Sequence, residues 1–516
     1  MNIETNHSRS QNVSGFDIGS QFRAQVQRQP MATAIEDADI QVSYFELHSR
    51  ACRLANLLQK AGMERGDRIA LLSENRREYV DVYLAAAFLG LIVACQNWRQ
   101  SESELQHCID LSGAKAIFFS QRYAVVARNA SSGIAFQMSF GSSYEAALRQ
   151  SDSAPPRCRA LPEDGFVILY TSGTTGYPKG ALISHRALIA RTLTSRIDGS
   201  LFPEFGYICW SPLFHMASTD SVIGMLISGG KIIVTDGFDA GMLVTTMARE
   251  PLGVLTLMPG MLDAVVAELD RTGAKPKGIQ AVGSLVDLVP PTKIAQITTL
   301  LGAPYRNTFG STETGLAPAS KGRIPIGVIP TSFSKVQSSY CDIRLVDDDD
   351  RDVSDGSPGE VLVKSPTLFS GYWEAPEANA EAFRGGWYHM GDILARNPNG
   401  TLDFVDRKKY LIKSGGENIY PAEIERVLLA HPGIAEAAVV RKADSKWGEV
   451  PVAFIVTRGQ QMSSSDVVEL CRGHLAGYKV PKEVRFVSSN DIPRNLTGKI
   501  LRHELETKIS SSNDLR

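Results

Sequence analysis

From Phe45 onward, apolar runs of strand length alternate with stretches patterned for helices. Leu47, Ala51, Leu54 and Leu58 recur at helical spacing, Gly62 ends that helix, and Arg68–Leu72 (RIALL) reads as a buried strand. The same alternation returns at residues 114–119 (AKAIFF), 165–170 (GFVILY), 231–234 (KIIV) and 253–257 (GVLTL), with a helical stretch over 261–269. Chains with this rhythm build mainly parallel sheets covered by helices on both faces, so the expected class is α/β. With 516 residues the chain exceeds one ordinary core, and two or more substructures are expected. The longest apolar run, 82–95 (VYLAAAFLGLIVAC), is too short for a comfortable bilayer span and reads as a buried helix leading into a strand. No membrane span is expected.

The texture changes after about residue 335. Short strands (CDIRLV, GEVLVKS, TLDFVDR) are separated by Asp/Gly/Pro turns, and the acidic run 347–359 (DDDDRDVSDGSPG) reads as a solvated turn, not a metal site. A final unit begins near Asp406. Its first helix follows Tyr420, with Pro421 in the first turn and Ile424, Val427 and Leu428 on one face. The segments AEAAVVRK and VPVAFIVT follow, then a helix near 466–475, a strand EVRFV, and a closing helix after Gly498: a small α+β unit.

Charge and cysteine usage exclude several classes. Basic residues number 54 and acidic residues 56, which gives no electrostatic case for nucleic-acid binding. Cys52, Cys95, Cys108, Cys158, Cys209, Cys341 and Cys471 are odd in number and contain no Cys-x-x-Cys pair, which argues against a zinc site or a disulfide framework and for a reducing compartment. The polar N-terminus lacks an apolar signal core and is expected to be a loose arm over residues 1–15.

The strongest chemical signal is 170–180, YTSGTTGYPKG, directly after the strand GFVILY. Its glycines let backbone approach a polyphosphate, its hydroxyls can donate hydrogen bonds, and Lys179 adds positive charge. It is not a Walker A loop. Read alone, it could also be an ordinary Ser/Gly turn, the lesser of the two readings. As a motif, TSGTTGYPKG resembles the phosphate loop of the adenylate-forming superfamily, which includes acyl- and aryl-CoA synthetases, peptide-synthetase adenylation domains and luciferases. Further motifs match in order from about residue 40 to 505.

The resemblance assigns the remaining residues. In the loop it implicates Thr171 and Lys179 in catalysis, with Ser172, Gly173, Thr174, Thr175 and Gly176 around the nucleotide. In 210–217 (WSPLFHMA) it sets His215 beside the acyl site as a shaping residue, not a general base. In 305–315 (YRNTFGSTETG) it gives Phe309, Gly310, Ser311 and Thr312 to adenine and phosphates, and Glu313 to Mg²⁺; few protein carboxylates are needed where a hard dication bridges phosphate oxygens. In 386–392 (GWYHMGD) Asp392 would accept from the ribose hydroxyls, with Met390 where the family more often has Thr. Arg407 would contact ribose and phosphate, and Lys409 marks the hinge. Gly415 and Gly416 would admit a pantetheine arm. In 493–499 (PRNLTGK) Lys499 would bridge carboxylate and phosphate. One stretch departs from the family: where Gly-Gly-Ala-Pro-Leu is frequent, this chain has VGSL at 282–285, leaving Gly283 and Ser284 for close approach.

The implied fold is a large N-terminal domain with stacked, mainly parallel sheets and a small β-barrel-like part, followed by a small mobile α+β domain. The boundaries are 1–15 for the arm, 16–408 for the large domain and 409–516 for the small one. The implied activity is ATP-dependent activation of a carboxylic acid as an acyl-adenylate, then transfer to coenzyme A. ATP, Mg²⁺ and CoA are the implied cofactors, and a cytoplasmic location is expected. The resemblance leaves a homodimer open. The acid is expected to be a largely apolar monocarboxylate: medium-chain, cyclic or aromatic. Two alternatives stand beside this reading. One is a stand-alone enzyme that loads a carrier protein. The other is a non-catalytic binding module, which the joint retention of Lys179, Glu313, Asp392, Arg407 and Lys499 disfavours.

Overall fold

The computed structural model describes residues 15–157, 160–171, 178–199, 201–283, 286–415, 417–459, 462–494 and 500–511. Packing divides the chain into two units. One is the chain up to Asp342 with Lys364–Trp387; the other is Ile343–Val363 with the chain from Tyr388 onward. This is a grouping by packing, whereas the expected boundary at 408/409 is a hinge position and stays a proposal.

The first unit carries a seven-stranded sheet in the order Gly371–Tyr372, Lys179–Ser184, Gly165–Thr171, Ile92–Cys95, Arg68–Leu72, Ala116–Phe119, Phe136–Ser139. The strands from Gly165–Thr171 to Phe136–Ser139 run parallel, and Lys179–Ser184 returns antiparallel. The run 82–95 is a helix, Arg77–Leu89, then Gly90, then the strand Ile92–Cys95. Every residue from Glu78 to Leu89 of that helix is buried, which explains why it carries no charge from Val82 on; the buried Asp81 is paired with Arg50. Among the described residues no helix is long and apolar enough to cross a membrane. The helix Tyr44–Lys60 starts at a capping box of Ser43 and Glu46 and buries Leu47, Ala51, Leu54 and Leu58 on one face.

Two further sheets complete this unit. One orders Ile40–Ser43, Thr33–Asp37, Ile232–Val234 and Tyr207–Cys209; the other orders Leu252–Leu255, Ile279–Val282, Tyr305–Ser311 and Gly315–Ile324. A parallel bridge between Gly206 and Leu252 joins them. Helices Ala240–Arg249, Leu262–Thr272 and Pro291–Leu301 cover one face, where Leu243, Met247, Val265, Ile294 and Ile297 pack with Ile208, Val282, Tyr305 and Ile324. Each such fully buried side chain contributes roughly 1.5–3 kcal/mol.

The second unit contains, but for the strand-end residues Asp342 and Lys364, a sheet ordered Asp342–Val346, Pro358–Lys364, Tyr388–Arg396 and Leu402–Arg407. A further sheet orders Glu417–Ile419, Ile412–Ser414, Gly448–Thr457 and Ile434–Asp444, with Glu483–Phe486 parallel to Gly448–Thr457. Helices Pro421–Leu429 and Ser464–Arg472 supply Ile424, Leu428, Val467 and Cys471 to its core. The acidic run is a turn, as expected: the Asp347 carboxylate accepts from the Asp349 and Arg351 amides. Cys52, Cys95, Cys108, Cys209, Cys341 and Cys471 are free and buried.

Candidate active site

The expected phosphate loop connects the two strands of a hairpin. Gly165–Thr171 is anchored by the fully buried Phe166, Val167 and Ile168, and Lys179–Ser184 returns beside it with Thr171 and Lys179 paired at the last rung. Ser172, Gly173, Thr174, Thr175, Gly176, Ser284, Gly416 and Lys499 lie outside the described residues. The Lys179 Nζ stands 5.2 Å from the ring centroid of Tyr372. Tyr372 belongs to the two-residue strand that pairs with the outer edge of Lys179–Ser184. Such a cation–π contact is worth about 0.5–1 kcal/mol when exposed, and it fixes the direction of the ammonium.

Tyr372 also reaches the acidic turn. Its hydroxyl donates to Glu313 Oε1 at 2.9 Å, and the Phe369 amide donates to the Glu313 carbonyl at 2.8 Å. Glu313 is buried at the turn between Tyr305–Ser311 and Gly315–Ile324. Within that turn the Ser311 amide donates to Thr314 Oγ1 at 3.0 Å. Phe309 pairs with Ala319 across the hairpin. Gly310 has no room for a side chain: a Cβ there would lie 1.9 Å from the Gly315 carbonyl oxygen.

Arg191, on the helix His185–Ile197, clamps this turn. Its Nη2 donates to the Thr312 carbonyl and its Nε to the Thr367 carbonyl, each at 3.0 Å, and Nη1 pairs with Asp220 at 3.2 Å. Burial pushes the Asp220 carboxyl up, and Arg191 opposes that shift. A second clamp is Lys335, fully buried, whose Nζ meets Asp287 Oδ2 at 2.8 Å and Asn307 Oδ1 at 2.7 Å. It thereby ties the segment after Gly283 to the strand that carries Phe309. The Gly283 amide donates to the Leu255 carbonyl at 3.1 Å.

His215 occupies the N-cap position of the helix Met216–Ser228 without a side-chain capping bond, and it packs on Phe214 with ring centroids 4.5 Å apart. Phe214 meets Trp98 edge-on at 6.0 Å. Burial, reinforced by the charge of Arg99, pushes the His215 imidazole down to about 4. It is therefore neutral at neutral pH, as a wall residue requires.

Arg306 lies on the strand Tyr305–Ser311 and faces away from the helical core. Its Nε and Nη2 are enclosed and have no hydrogen-bond partner among the described residues. Burial, with repulsion from Arg323, pushes its guanidinium down to about 10.

In the second unit, Asp392 and Arg407 are cross-strand partners of Tyr388–Arg396 and Leu402–Arg407. Arg407 Nε lies 3.0 Å from the fully buried Asp392 Oδ1. The neighbouring Asp406 accepts from the Ala422 amide at 2.8 Å and so anchors the start of the helix Pro421–Leu429. The Lys409 Nζ lies over the Tyr410 ring at 5.0 Å. Gly415 has φ 59°, and a Cβ there would meet the Trp447 ring at 2.8 Å, so both conformation and space require glycine.

With this geometry in hand, residues 22–373 match the AMP-binding enzyme family, and residues 423–499 match the AMP-binding enzyme C-terminal domain. The chain belongs to the AMP-binding enzymes. This AMP-binding enzyme is 32% identical over 496 residues to a feruloyl-CoA synthase of Amycolatopsis sp, an alignment covering 95% of this chain and 99% of the relative. Among solved structures it is similar to a Mycobacterium tuberculosis fatty acyl CoA synthetase, at TM-score 0.79 and 28% identity over 96% of this chain and 99% of that one. It is also similar to the o-succinylbenzoate CoA synthetase of Bacillus subtilis in complex with its acyl-adenylate, at TM-score 0.81 and 25% identity over 94% and 97% of the two chains.

The donor set of this AMP-binding enzyme fits Mg²⁺ in one way. Among the described residues no group of three or more His, Cys, Asp or Glu could hold a metal, so these residues build no metal cage. A dication held mainly by phosphate oxygens, with Glu313 as its protein carboxylate, is compatible with that set. Sequence reasoning passed over Arg191, Tyr372, Lys335 and Arg306. Arg191 carried a weak signal, as a cation amid the apolar helix residues Ala187, Leu188 and Ala190. Tyr372 and Lys335 carried none, because their partners are 59 and 48 residues away or nearer only in space.

Proposed function

We propose that the protein is an ATP-dependent acid–thiol ligase that makes an acyl-adenylate and then an acyl-CoA, releasing pyrophosphate and AMP. The observation that carries this reading is the Lys179–Tyr372–Glu313 contact. One tyrosine ring and its hydroxyl hold a cation at the strand end that follows the Ser/Gly/Thr motif and a carboxylate suited to a phosphate-bound dication.

In the first half-reaction a carboxylate oxygen attacks the α-phosphorus and the bond to pyrophosphate breaks. Such transfer needs positioning and charge neutralisation more than covalent help. Lys179, Thr171, Lys499 and the loop residues would neutralise and orient the phosphates, and Glu313 would hold Mg²⁺. Asp392 would accept from the ribose hydroxyls, a task for an acceptor-only side chain, with Arg407 beside it. Phe309, Gly310 and Gly283 would border the adenine. In the second half-reaction the thiol sulfur attacks the acyl carbon, AMP leaves with the bonding electrons, and the thiol proton is released. Gly415 and Gly416 would admit the pantetheine arm, and Lys409 would be the pivot between the two steps.

The acid is a largely apolar one: medium-chain, cyclic or aromatic. The relatives' substrates, as their names give them, share an apolar body, and Trp98 and Phe214 would offer aromatic surface to such a body. Free CoA is the acceptor, in keeping with the CoA-forming names of all three relatives. Use of Mg·ATP and a cytoplasmic location belong to the same proposal. The test is pyrophosphate release with a panel of acids and CoA. Lys499→Ala should lose adenylate formation yet still pass a supplied acyl-AMP to CoA; equal loss of both steps would contradict the assignment. Faster transfer to a pantetheinylated carrier protein than to CoA at equal thiol concentration would favour the loading alternative.

A further inference from the structure

The buried cations of the first unit divide into two kinds. Arg50 is paired with Asp81 and Glu145, Arg191 with Asp220, and Lys335 with Asp287. Arg306 is different: its enclosed Nε and Nη2 find no acceptor among the described residues. Its cross-strand partner is another cation, Arg323, which donates to the carbonyls of Asp198, Gly199, Ser320 and Gly322 and so gives Arg306 no counter-charge. A guanidinium with two enclosed, unpartnered nitrogens is costly for a fold to keep, so a compensating group from beyond the described residues, such as a bound ligand, is expected.

The face on which Arg306 sits says what that group belongs to. Side chains alternate along a strand. Tyr305 and Ile324 point into the core under the helices, as does Ile208 on the neighbouring sheet. Arg306 and Tyr207 therefore point to the opposite face. There Ser218 and Ser221 lie near the Tyr207 hydroxyl, and Arg306 is a nearby cation. Ser218 and Ser221 lie on the helix Met216–Ser228, which starts at His215. Arg306 is thus on the side bounded by the first turns of the helix that starts at His215, the residue that the resemblance sets beside the acyl site. Five strand residues lie between it and Thr312, six steps or about 20 Å at 3.3 Å per residue. That distance is too great for Arg306 to serve the reacting carboxyl or the phosphates, and it suits the far end of a bound acid.

We infer that Arg306 is the specificity-determining residue of the acyl site, donating to an oxygen acceptor at the end of the acid remote from the carboxyl that is activated. The body of the acid stays apolar and its tip is an oxygen: a second carboxylate, a carbonyl or a hydroxyl. This rests on the ligase reading above and deepens it.

The experiment uses the full chain with ATP, Mg²⁺, CoA and two matched series: cinnamate, 4-hydroxycinnamate and 4-carboxycinnamate; hexanoate, 6-hydroxyhexanoate and adipate. In at least one series an oxygen-tipped acid should exceed the bare one in kcat/KM for pyrophosphate release by about 10- to 100-fold, the range for a hydrogen bond to a charged group. The carboxylate and hydroxyl arms distinguish an anionic from a neutral tip. Arg306→Met should bring that ratio to about one, acting on the KM for the acid more than on the KM for ATP, and Arg306→Lys should retain part of the preference. A residue with a merely structural role would lower the rates of all acids alike, and that result overturns the assignment. So does a wild-type enzyme that uses the members of both series equally. Release from none of the acids counts against the ligase reading, and the assignment then stands on a second readout without ATP. Oxygen-tipped acids should raise the melting temperature of the wild type and not of Arg306→Met; equal shifts, or none in either, overturn it.

Discussion

Removing the Arg191 clamp should separate stability from catalysis. The side chain is 3% exposed and its partner Asp220 16% exposed, and the guanidinium also serves the carbonyls of Thr312 and Thr367. Arg191→Met leaves Asp220 as a largely buried carboxylate with its cation gone, a truncation that costs about 3–5 kcal/mol. In a unit of this size that lowers the melting temperature by roughly 4–7 °C. The turn bearing Thr312 and Glu313 loses its tether, and a displacement of about 1 Å at a reacting group costs on the order of 100-fold in rate. The assay is pyrophosphate release at 20 °C beside a thermal melt, for Arg191→Met and for Arg191→Met/Asp220→Asn. The double variant removes the stranded charge and should recover part of the stability but none of the rate, because both carbonyls still lack their donor. A single variant that melts within 2 °C of wild type, or a double variant that regains rate along with stability, would refute the clamp.

Gly415→Ala forces a side chain into a left-handed position and against Trp447, so CoA-thioester formation should slow while a first turnover of pyrophosphate release persists; parallel loss of both steps would count against a role confined to the thiol step. Asp392→Ala should lower kcat/KM for ATP by about 10- to 100-fold, since charge-assisted hydrogen bonds carry about 1.5–3 kcal/mol, with the KM for the acid much less affected; an unaltered ATP dependence would remove Asp392 from the nucleotide site. His215 has a folded pKa of about 4, below its unfolded value near 6.5, so its contribution to stability is full above about pH 6.5 and is lost as pH falls toward 4. Wild type should therefore lose more melting temperature between pH 7.5 and 5 than His215→Phe does, and identical losses would show that the imidazole is not held neutral.

Local pattern made much of the fold legible. Arg68–Leu72 is a strand because five residues of mainly apolar character lie between a glycine turn and a polar segment, and that information is contained within the run itself. The helix-to-strand passage at 82–95 was readable for the same reason, with Gly90 marking the change. Pairing was not readable in this way. Thr33–Asp37 lies beside Ile232–Val234, and the short strand Gly371–Tyr372 beside Lys179–Ser184, because of the path the chain takes between them and not because of anything in either segment. In the candidate site the motifs identified Lys179 and Glu313, but not the tyrosine that joins them. A hydroxyl contributes to such a contact only through its position, and position is a long-range property of the sheets. Arg306 escaped notice for a related reason: its significance lies in what it does not touch, and a sequence contains no record of that.

The burial of the cysteines bears on chemical safety inside the enzyme. An acyl-adenylate is an electrophile made to meet one thiol, and any thiolate of the protein that reached it first would consume the product and disable the catalyst. Burial pushes the Cys52, Cys95 and Cys471 thiols up to about 11 and those of Cys108, Cys209 and Cys341 up to about 12. Enclosed and protonated at neutral pH, these six neither reach the intermediate nor have the nucleophilic form with which to attack it. The enzyme can therefore hold its activated acid for as long as the acceptor takes to arrive, without acylating these thiols.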